Sequence, residues 1–493
     1  MSDNTKYRGI LQSTSLFGVV QIFNVLIKII LNKVVAVLLG VEAMGIISLF
    51  TNVLNLLKTA FGLGISQSGV KDISQAFHEN DEKAFSKTIS VTNKVILFTF
   101  ILGIVGTILL SRYLSKLSFG DFGYTYSFVF LSIAVGFSIL SEGQLTVLKG
   151  MRKLKEIAKS TFYGSIVGVI FAIPLYFVFG NNGIIPSLII TSFASFFFTF
   201  LYVRKIDVTL PKVSYKKSFT YGKKMIKMGV SLMFVSFVAL LSEYIISSYI
   251  SNYGSLKDLG LYQVGITILS SYFGIILVSI TTDYYPRISA INRDNRAIEN
   301  ELNKQSEISL FLAFPLIVLF VFLSPILIPL MFSKEFIQVQ SYTDIAILGT
   351  LITLCSNNMG MILLAKQEAK IFLITSLSQR VFMVVISIVS YKLWGLLGLG
   401  VTNIIMATIH LVIMSTIMKK KYRISWNRNA ILSFLFILII IIVAIISKNF
   451  QNYYIKYAVG FLLFLISIVY CYYFAKTKLG IDFQKLKNRI TKK

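Results

Sequence analysis

The sequence predicts an all-α polytopic membrane protein with fourteen transmembrane helices. They are arranged as two six-helix lobes, related by a parallel pseudo-twofold repeat, plus two further helices. Three observations predict it. Apolar stretches long enough to cross a bilayer fill the chain from end to end. The connections between them alternate between rich and poor in Lys and Arg. Two parts of the chain match at a fixed shift.

A bilayer core about 30 Å thick needs roughly 20 apolar residues per helix. On that length the crossings fall at 10–39, 42–67, 88–111, 124–148, 160–179, 183–203, 225–250, 260–283, 307–332, 341–365, 368–391, 394–417, 429–447 and 453–475. Little is left for a soluble domain, so the function is expected inside the membrane. With 55% hydrophobic and 14% charged residues, the composition does not suit a soluble globule of 493 residues.

The net charge of +27 raises the question of nucleic acid. The basic residues instead sit where membrane topology wants them. With the N-terminus cytoplasmic, 36 Lys and Arg fall in the termini and the even-numbered connections. Only seven fall outside: Arg112, Lys116, Lys257, Lys334, Lys392, Lys448 and Lys456. Five more (Lys28, Lys33, Lys58, Lys94 and Arg380) lie inside helices. This is the positive-inside pattern, with both termini cytoplasmic. Anionic membrane lipids are the expected partner of the basic face, and nucleic acid is not.

Cys355 and Cys471 both lie inside expected helices and make neither a disulfide framework nor a metal spacing. The polar start, Met1-Ser-Asp-Asn-Thr-Lys-Tyr-Arg-Gly, runs into the long first span. It reads as an uncleaved first helix rather than a removable signal peptide.

External connections are tight. Phe179-Gly-Asn-Asn-Gly and Tyr391-Lys-Leu-Trp-Gly are turns between helices. Cytoplasmic connections are longer and basic, as in Leu148-Lys-Gly-Met-Arg-Lys-Leu-Lys. The longest carries Arg204, Lys205, Lys212, Lys216, Lys217, Lys223 and Lys224, and is the expected hinge. The expected division is an N-terminal lobe 1–203, a linker 204–224, a C-terminal lobe 225–417, helices 13 and 14 in 418–475, and a tail 476–493. In the tail, Leu479, Phe483, Leu486 and Ile490 recur at helical spacing among seven Lys or Arg. That pattern reads as an interfacial amphipathic helix; a solvated basic tail is the alternative.

The repeat emerges at a shift of 215, where Val41–Ser74 lies on Leu256–Ser289 without a gap. Gly45 meets Gly260, Leu54 meets Leu269, Ile65 meets Ile280, and Ile73-Ser74 meets Ile288-Ser289. The repeat spans an even number of helices, so the copies have the same orientation. Their axis then runs along the membrane normal.

Ionisable groups inside helices are the sharpest functional signal, since each costs about 3 kcal/mol or more at mid-bilayer. Asn24, Lys28 and Asn32 are spaced by four and form one polar stripe on helix 1. The 215 shift sets Lys28 on Glu243 of helix 7. The pair reads as a switchable ion pair at a central site, or as a structural pair or snorkelling lysine. Arg380 cannot shed its charge, so it needs a carboxylate, carbonyls, water or an anionic ligand. Lys58 and Lys94 line a cavity or snorkel to the inner headgroups; for Lys33 snorkelling is favoured. Glu142 can neutralise a nearby base. Asp283 and Asp344 sit towards helix ends, where interface placement is the default. Asn357 and Asn358 line the lumen or hydrogen-bond between helices.

Enzyme signatures are absent: the sequence has no phosphate loop and no His-Glu-x-x-His site. His78 and His410 are far apart, and His410 reads as a polar residue between helices. No cofactor or metal is expected.

The stretch Leu38-Leu-Gly-Val-Glu-Ala-Met-Gly-Ile-Ile-Ser-Leu-Phe, continuing to Phe61-Gly-Leu-Gly-Ile-Ser-Gln-Ser-Gly-Val-Lys-Asp-Ile-Ser, resembles the start of polysaccharide-biosynthesis flippases. These are O-antigen or Wzx-type members of the multidrug/oligosaccharidyl-lipid/polysaccharide exporter superfamily. The helix count and basic mid-chain loop resemble it too. The resemblance implies a two-lobe flippase in a bacterial inner membrane that moves undecaprenyl-pyrophosphate-linked oligosaccharide to the outer leaflet. A polysaccharide polymerase and assembly proteins are its implied partners. Lipid II flippases and multidrug exporters share the fold and are the alternatives. The drug-exporting branch commonly uses acidic residues near helix 1, where this chain has Lys28. A membrane glycan polymerase or acyltransferase fits less well, since the chain lacks a large external loop. On this reading Lys28, Arg380, Lys58 and Lys94, with Asn24 and Asn32, hold the pyrophosphate. Glu243, Glu142, Asn357 and Asn358 serve lumen pairing or coupling.

Overall fold

Gly40, at φ 79°, turns the chain from its first described helix into the second. The computed structural model describes residues 23, 26–79, 81–206, 211, 215–274 and 284–478. Helix α1 occupies 26–38, and α2 runs Gly40–Phe61. The expected span 42–67 stops short, because Leu63 (φ 49°) and Gly64 (φ 62°) take left-handed backbone after Phe61. A separate helix, α3 (Ile65–His78), follows. Ser66, Gln67, Ser68, Lys71, Asp72 and Gln75 make it amphipathic rather than apolar. It buries Ile65, Gly69, Ile73 and Ala76, the spacing of one helical face.

Asp81 starts α4 (Glu82–Phe119), its carboxylate accepting the Ala84 N–H at 2.9 Å. Next come α5 (Thr125–Gly150), α6 (Leu154–Phe179) and, after the Gly180–Gly183 turn, α7 (Ile184–Arg204). The chain resumes in α8 (Tyr215–Tyr253) and α9 (Leu256–Ile266), which continues as a π-helical turn, Thr267–Tyr272. Helix α10, which includes 284–290, precedes α11 (Asn295–Met331) and α12 (Gln340–Ala365). Helix α13 (Ala369–Ile417) is broken at Gly395, whose φ of 57° and ψ of −137° are not helical. Helices α14 (Arg428–Ser447) and α15 (Tyr453–Thr477) complete the order, capped by Asn427 and Asn452.

Ten stretches of the described residues are long and apolar enough to cross a membrane. Two of them, Leu154–Arg204 and Ala369–Tyr422, contain the Gly180 turn and the Gly395 break, so each supplies two of the expected crossings. The expected spans 10–39 and 260–283 are only partly described. The chain is a multi-pass, all-helical membrane protein. Asn24, Asp283 and the C-terminal tail beyond Lys478 lie outside the described residues.

The helices form two compact units, one reaching to Gln263 with Met331–Glu335, the other Val264–Leu330 with Phe336 onward. In the first, α8 packs on α2, α3 and α4, although it follows the basic linker in sequence. Ile65, Val95, Ile96 and Met225 fill the space between α3, α4 and α8. In the second, α12 packs against α13 and α14. Tyr284, Leu302, Ile362 and Met414 form a fully or almost fully buried cluster there.

One contact in the first unit bears on the repeat. Gly45 and Gly260 meet at backbone distance, and the Ser48 hydroxyl donates to the Gln263 side-chain carbonyl at 3.2 Å. Both pairs are separated by 215 residues, the shift found in the sequence.

Candidate functional site

Lys58 lies in the last turn of α2, half-buried, and makes no ion pair among the described residues. It lines a cavity of about 220 Å³ inside the first unit. Its polar lining comes from Thr59 of α2, Ser66 and Gln67 of α3, Thr99 of α4 and Ser236 of α8, beside apolar Ile65, Ile96, Ile139 and Met233. Glu142 of α5 lines the same cavity. Its carboxylate accepts a hydrogen bond from the Lys149 ammonium at 2.9 Å, both side chains being about one-third exposed or more. The cavity lining thus carries one base, Lys58, and one acid, Glu142, the acid being paired with Lys149 from outside the lining.

The Phe61-Gly-Leu-Gly-Ile-Ser-Gln turn builds the cavity wall. Gly64 is required twice over. Its φ of 62° suits a residue without Cβ, and a Cβ there would stand 2.0 Å from the Gly229 carbonyl oxygen of α8. That close approach lets α8 lie across the turn. No side chain caps the N-terminus of α3, whose first residues, Ile65–Gln67, line the cavity. The Ile65 and Gln67 N–H groups are already bonded to the Gly62 and Gly64 carbonyl oxygens at 3.1 and 3.0 Å, so the helix start contributes chiefly its partial positive charge. With Lys58 beside it, the arrangement favours an anion. Ligand pockets for drug-sized molecules run roughly 300–1,000 Å³. This cavity, at about 220 Å³, is sized for a polar headgroup rather than a whole amphiphile.

The structure therefore brings two of the sequence-derived candidates, Lys58 and Glu142, into one site. The others lie elsewhere. Lys28 is exposed on α1 and Asn32 half-buried there. Lys94 is half-buried on α4 and does not line the cavity. Glu243 is exposed on α8, within electrostatic reach of the buried Tyr262. In the second unit, Arg380 is half-buried on α13 and makes no ion pair among the described residues; its Nη1 is 3.9 Å from the Met383 sulfur. Asn357 is half-buried. Asn358 is buried and donates to Ser309 of α11 at 3.3 Å, an interhelical bond. His410 joins Ser356 at 2.8 Å, linking α13 to α12.

Sequence reasoning passes over Lys149 as a partner, the start of α3 and the α8 wall. The glycine turn before Ser66 and Gln67 is a readable signal for the helix start. Nothing local signals the α8 residues, which arrive from far along the chain.

One ionic contact differs from expectation. The sequence places Lys448 in an external connection and Asp344 at an interface position. Lys448 is instead 6% exposed, and its ammonium meets Asp344 Oδ2 at 2.6 Å and Ser324 Oγ at 2.9 Å. Among the described residues no group of three or more His, Cys, Asp or Glu is placed to hold a metal.

A comparison with curated proteins returns no significant match. Among solved structures, the chain is similar to the lipid II flippase MurJ in an inward closed conformation. The TM-score is 0.73 at 17% identity, covering 93% of this chain and 98% of that one. It is similar to an inward-facing MATE family transporter of the MOP superfamily, with TM-score 0.62, 14% identity and coverage of 81% and 96%. It is also similar to the MATE multidrug transporter DinF-BH, with TM-score 0.59, 16% identity and coverage of 83% and 95%. These likenesses establish the fold. The family model described as polysaccharide biosynthesis protein matches residues 34–341, more than half of the sequence and all of the cavity's wall. The chain thus belongs to the polysaccharide biosynthesis protein family.

Proposed function

We propose that this protein flips an undecaprenyl-pyrophosphate-linked oligosaccharide from the inner to the outer leaflet of a bacterial cytoplasmic membrane by alternating access. Both termini are cytoplasmic on this reading, and the two six-helix lobes are the moving halves. One observation carries it: a half-buried lysine with no carboxylate partner among the described residues, Lys58, lines a headgroup-sized cavity of mixed polar and apolar lining at a helix N-terminus. A lipid-linked sugar has three parts. The isoprenoid tail stays in lipid, the glycan needs hydration, and the pyrophosphate needs positive charge. Lys58 supplies a point charge, the start of α3 its partial positive charge, and Ser66 and Thr59 supply hydroxyls. Glu142, which lines the cavity and pairs with Lys149, serves lumen pairing or coupling. Lys28, Lys94 and Arg380, with Asn24 and Asn32, provide further polar and positive groups for the passage. Glu243, Asn357 and Asn358 contribute to lumen pairing.

The likeness to a lipid II flippase supports a second reading, in which the cargo is lipid II or another amphiphile with a phosphate-linked sugar. The cavity chemistry is shared, so the discriminating experiment varies the cargo. Purified protein in vesicles is given a labelled undecaprenyl-pyrophosphate oligosaccharide or lipid II, and label accessibility is followed. The oligosaccharide is expected to flip, and Lys58→Ala to stop it. Undiminished flipping by Lys58→Ala would remove the cavity from the mechanism. Flipping of lipid II alone would select the second reading.

A further inference from the structure

We infer that the outer end of α4 carries a binding site for the phosphate of an anionic membrane phospholipid, formed by Arg112 and Lys116 over the ring of Phe122. The leaflet it faces rests on the topology proposed above; the site itself does not. Its basis is a pair of cations on one ring. The Arg112 guanidinium carbon stands 4.7 Å from the Phe122 centroid, and the Lys116 ammonium 5.7 Å. The two bases are a turn apart on α4, so they share a face. All three side chains are exposed. Neither base makes an ion pair among the described residues.

Bases are scarce on this side. With both termini cytoplasmic, two of the seven external Lys and Arg lie here, where the positive-inside rule disfavours them. The negative end of the α4 dipole accounts for Lys116, in the last turn. It does not reach Arg112, a turn further back. Asp121 does not account for them either: its Oδ1 accepts the Gly123 N–H at 2.8 Å, within the turn. That turn holds the ring in place. Ser115, fully buried, donates to the Asp121 carbonyl at 2.8 Å and accepts the Tyr124 N–H at 3.1 Å. Thr125 donates to the Phe122 carbonyl at 2.7 Å. From α8, Asn252 donates to the Leu117 carbonyl at 2.6 Å. Gly120, at φ 82°, leaves room for it, since a Cβ there would stand 2.9 Å from Asn252 Oδ1. Tyr113 and Tyr126, on either side of the turn in sequence, are 70% and 78% exposed, as aromatic side chains are at headgroup depth.

The chemistry selects the occupant. A phosphodiester offers its free oxygens to the guanidinium fork and to the ammonium as a point charge. Two bases against Asp121 leave a net positive charge, which favours an anionic phospholipid over a zwitterionic one. A phosphate seated there ties the α4–α5 turn to the headgroup plane, and through Asn252 ties α8 to it.

The test uses Phe122→Trp as a local reporter, since an indole holds cations at least as well. The chain also carries Trp394→Phe and Trp426→Phe, which removes its two native tryptophans. Purified full-length protein in neutral detergent is titrated with short-chain phosphatidylglycerol or phosphatidylcholine, and indole emission is followed. Phosphatidylglycerol is expected to bind saturably, with a Kd at least tenfold below that of phosphatidylcholine. Arg112→Gln with Lys116→Gln is expected to raise that Kd at least tenfold. The exchange Arg112→Lys with Lys116→Arg is expected to keep the preference. No saturable change, equal affinities, an unchanged Kd in the glutamine pair, or lost preference in the exchanged pair overturns the site. A polyprenyl pyrophosphate is expected to bind within tenfold of phosphatidylglycerol; tighter binding than that assigns the site to transported cargo and overturns the phospholipid. Binding in detergent depends on neither transport nor orientation, so its failure is distinct from theirs, and a reporter fusion at Asn181 decides the leaflet separately.

Discussion

Removing one partner of the buried Lys448–Asp344 pair should destabilise the second unit far more than removing both. Lys448 closes α14, and its ammonium lies between Asp344 of α12 and Ser324 of α11. At the observed 2.6 Å and an effective dielectric constant of about 20, the gross attraction is about 6 kcal/mol. Desolvation of both groups offsets much of that. Asp344 Oδ1 is buried without a hydrogen-bond partner among the described residues, so the carboxylate is incompletely compensated. Lys448→Ala or Asp344→Ala strands a buried charge and should cost about 3–5 kcal/mol. Lys448→Met with Asp344→Leu keeps the volume without the charges, and should fall near neutrality or gain about 1–4 kcal/mol. The assay is reversible denaturation of purified protein in detergent, carried out as a double-mutant cycle. Singles within about 1 kcal/mol of the parent, the range of a solvated surface pair, would refute the reasoning. Export should follow the amount of folded protein, since the pair anchors α14 and holds no cargo.

In the cavity, Lys58→Ala should leave insertion intact and abolish glycan export, whereas Lys58→Arg should keep part of it, charge surviving while geometry changes; export by Lys58→Ala at the parent rate removes that role. Lys28→Ala with Arg380→Ala should also lose export, and a double variant that exports fully assigns those charges to structural duty. Reporter fusions at Asn181 and Asn252 should read outside, and those at Lys153 and Lys216 inside; a single clear reversal overturns the topology. In the turn between α12 and α13, hydrogen bonds from Lys421 and Tyr422 hold the Glu368 carboxyl below its usual range. A lowered carboxyl stabilises the fold above the unfolded value and loses that contribution as pH falls through the folded one. Acid melting curves of Glu368→Gln should therefore converge on the parent's below the carboxylate range and fall beneath them above it; parallel curves would exclude the linkage.

Much of the fold was legible in the sequence because a bilayer imposes a length and a charge rule on each helix separately. The turn at Gly180 and the break at Gly395 fall where Phe179-Gly-Asn-Asn-Gly and Tyr391-Lys-Leu-Trp-Gly announced them. The end of α2 was misjudged by several residues. Ile65 and Val70 continue the apolar count, whereas left-handed Leu63 and Gly64 stop the helix. Periodicity alone does not register a backbone reversal. The candidate site was legible only as separate charges. Lys58 and Glu142 drew attention one by one, because an ionisable group inside a spanning helix is costly wherever it sits.

Composition and periodicity by themselves determined the class, comparison along the chain gave the 215-residue shift, and the resemblance of Leu38–Phe50 and Phe61–Ser74 gave the family. Each of these is a property of one helix or of a comparison along the chain. Tertiary structure alone decided that Lys58, Glu142 and the start of α3 share a cavity roofed by α8. It alone decided that Lys448 is buried against Asp344, and that Gly45 touches Gly260. Those facts depend on which faces of distant helices pack together. In lipid, any apolar face satisfies the local pattern, so the choice of neighbour is made by close packing and by the few polar groups that must find one another.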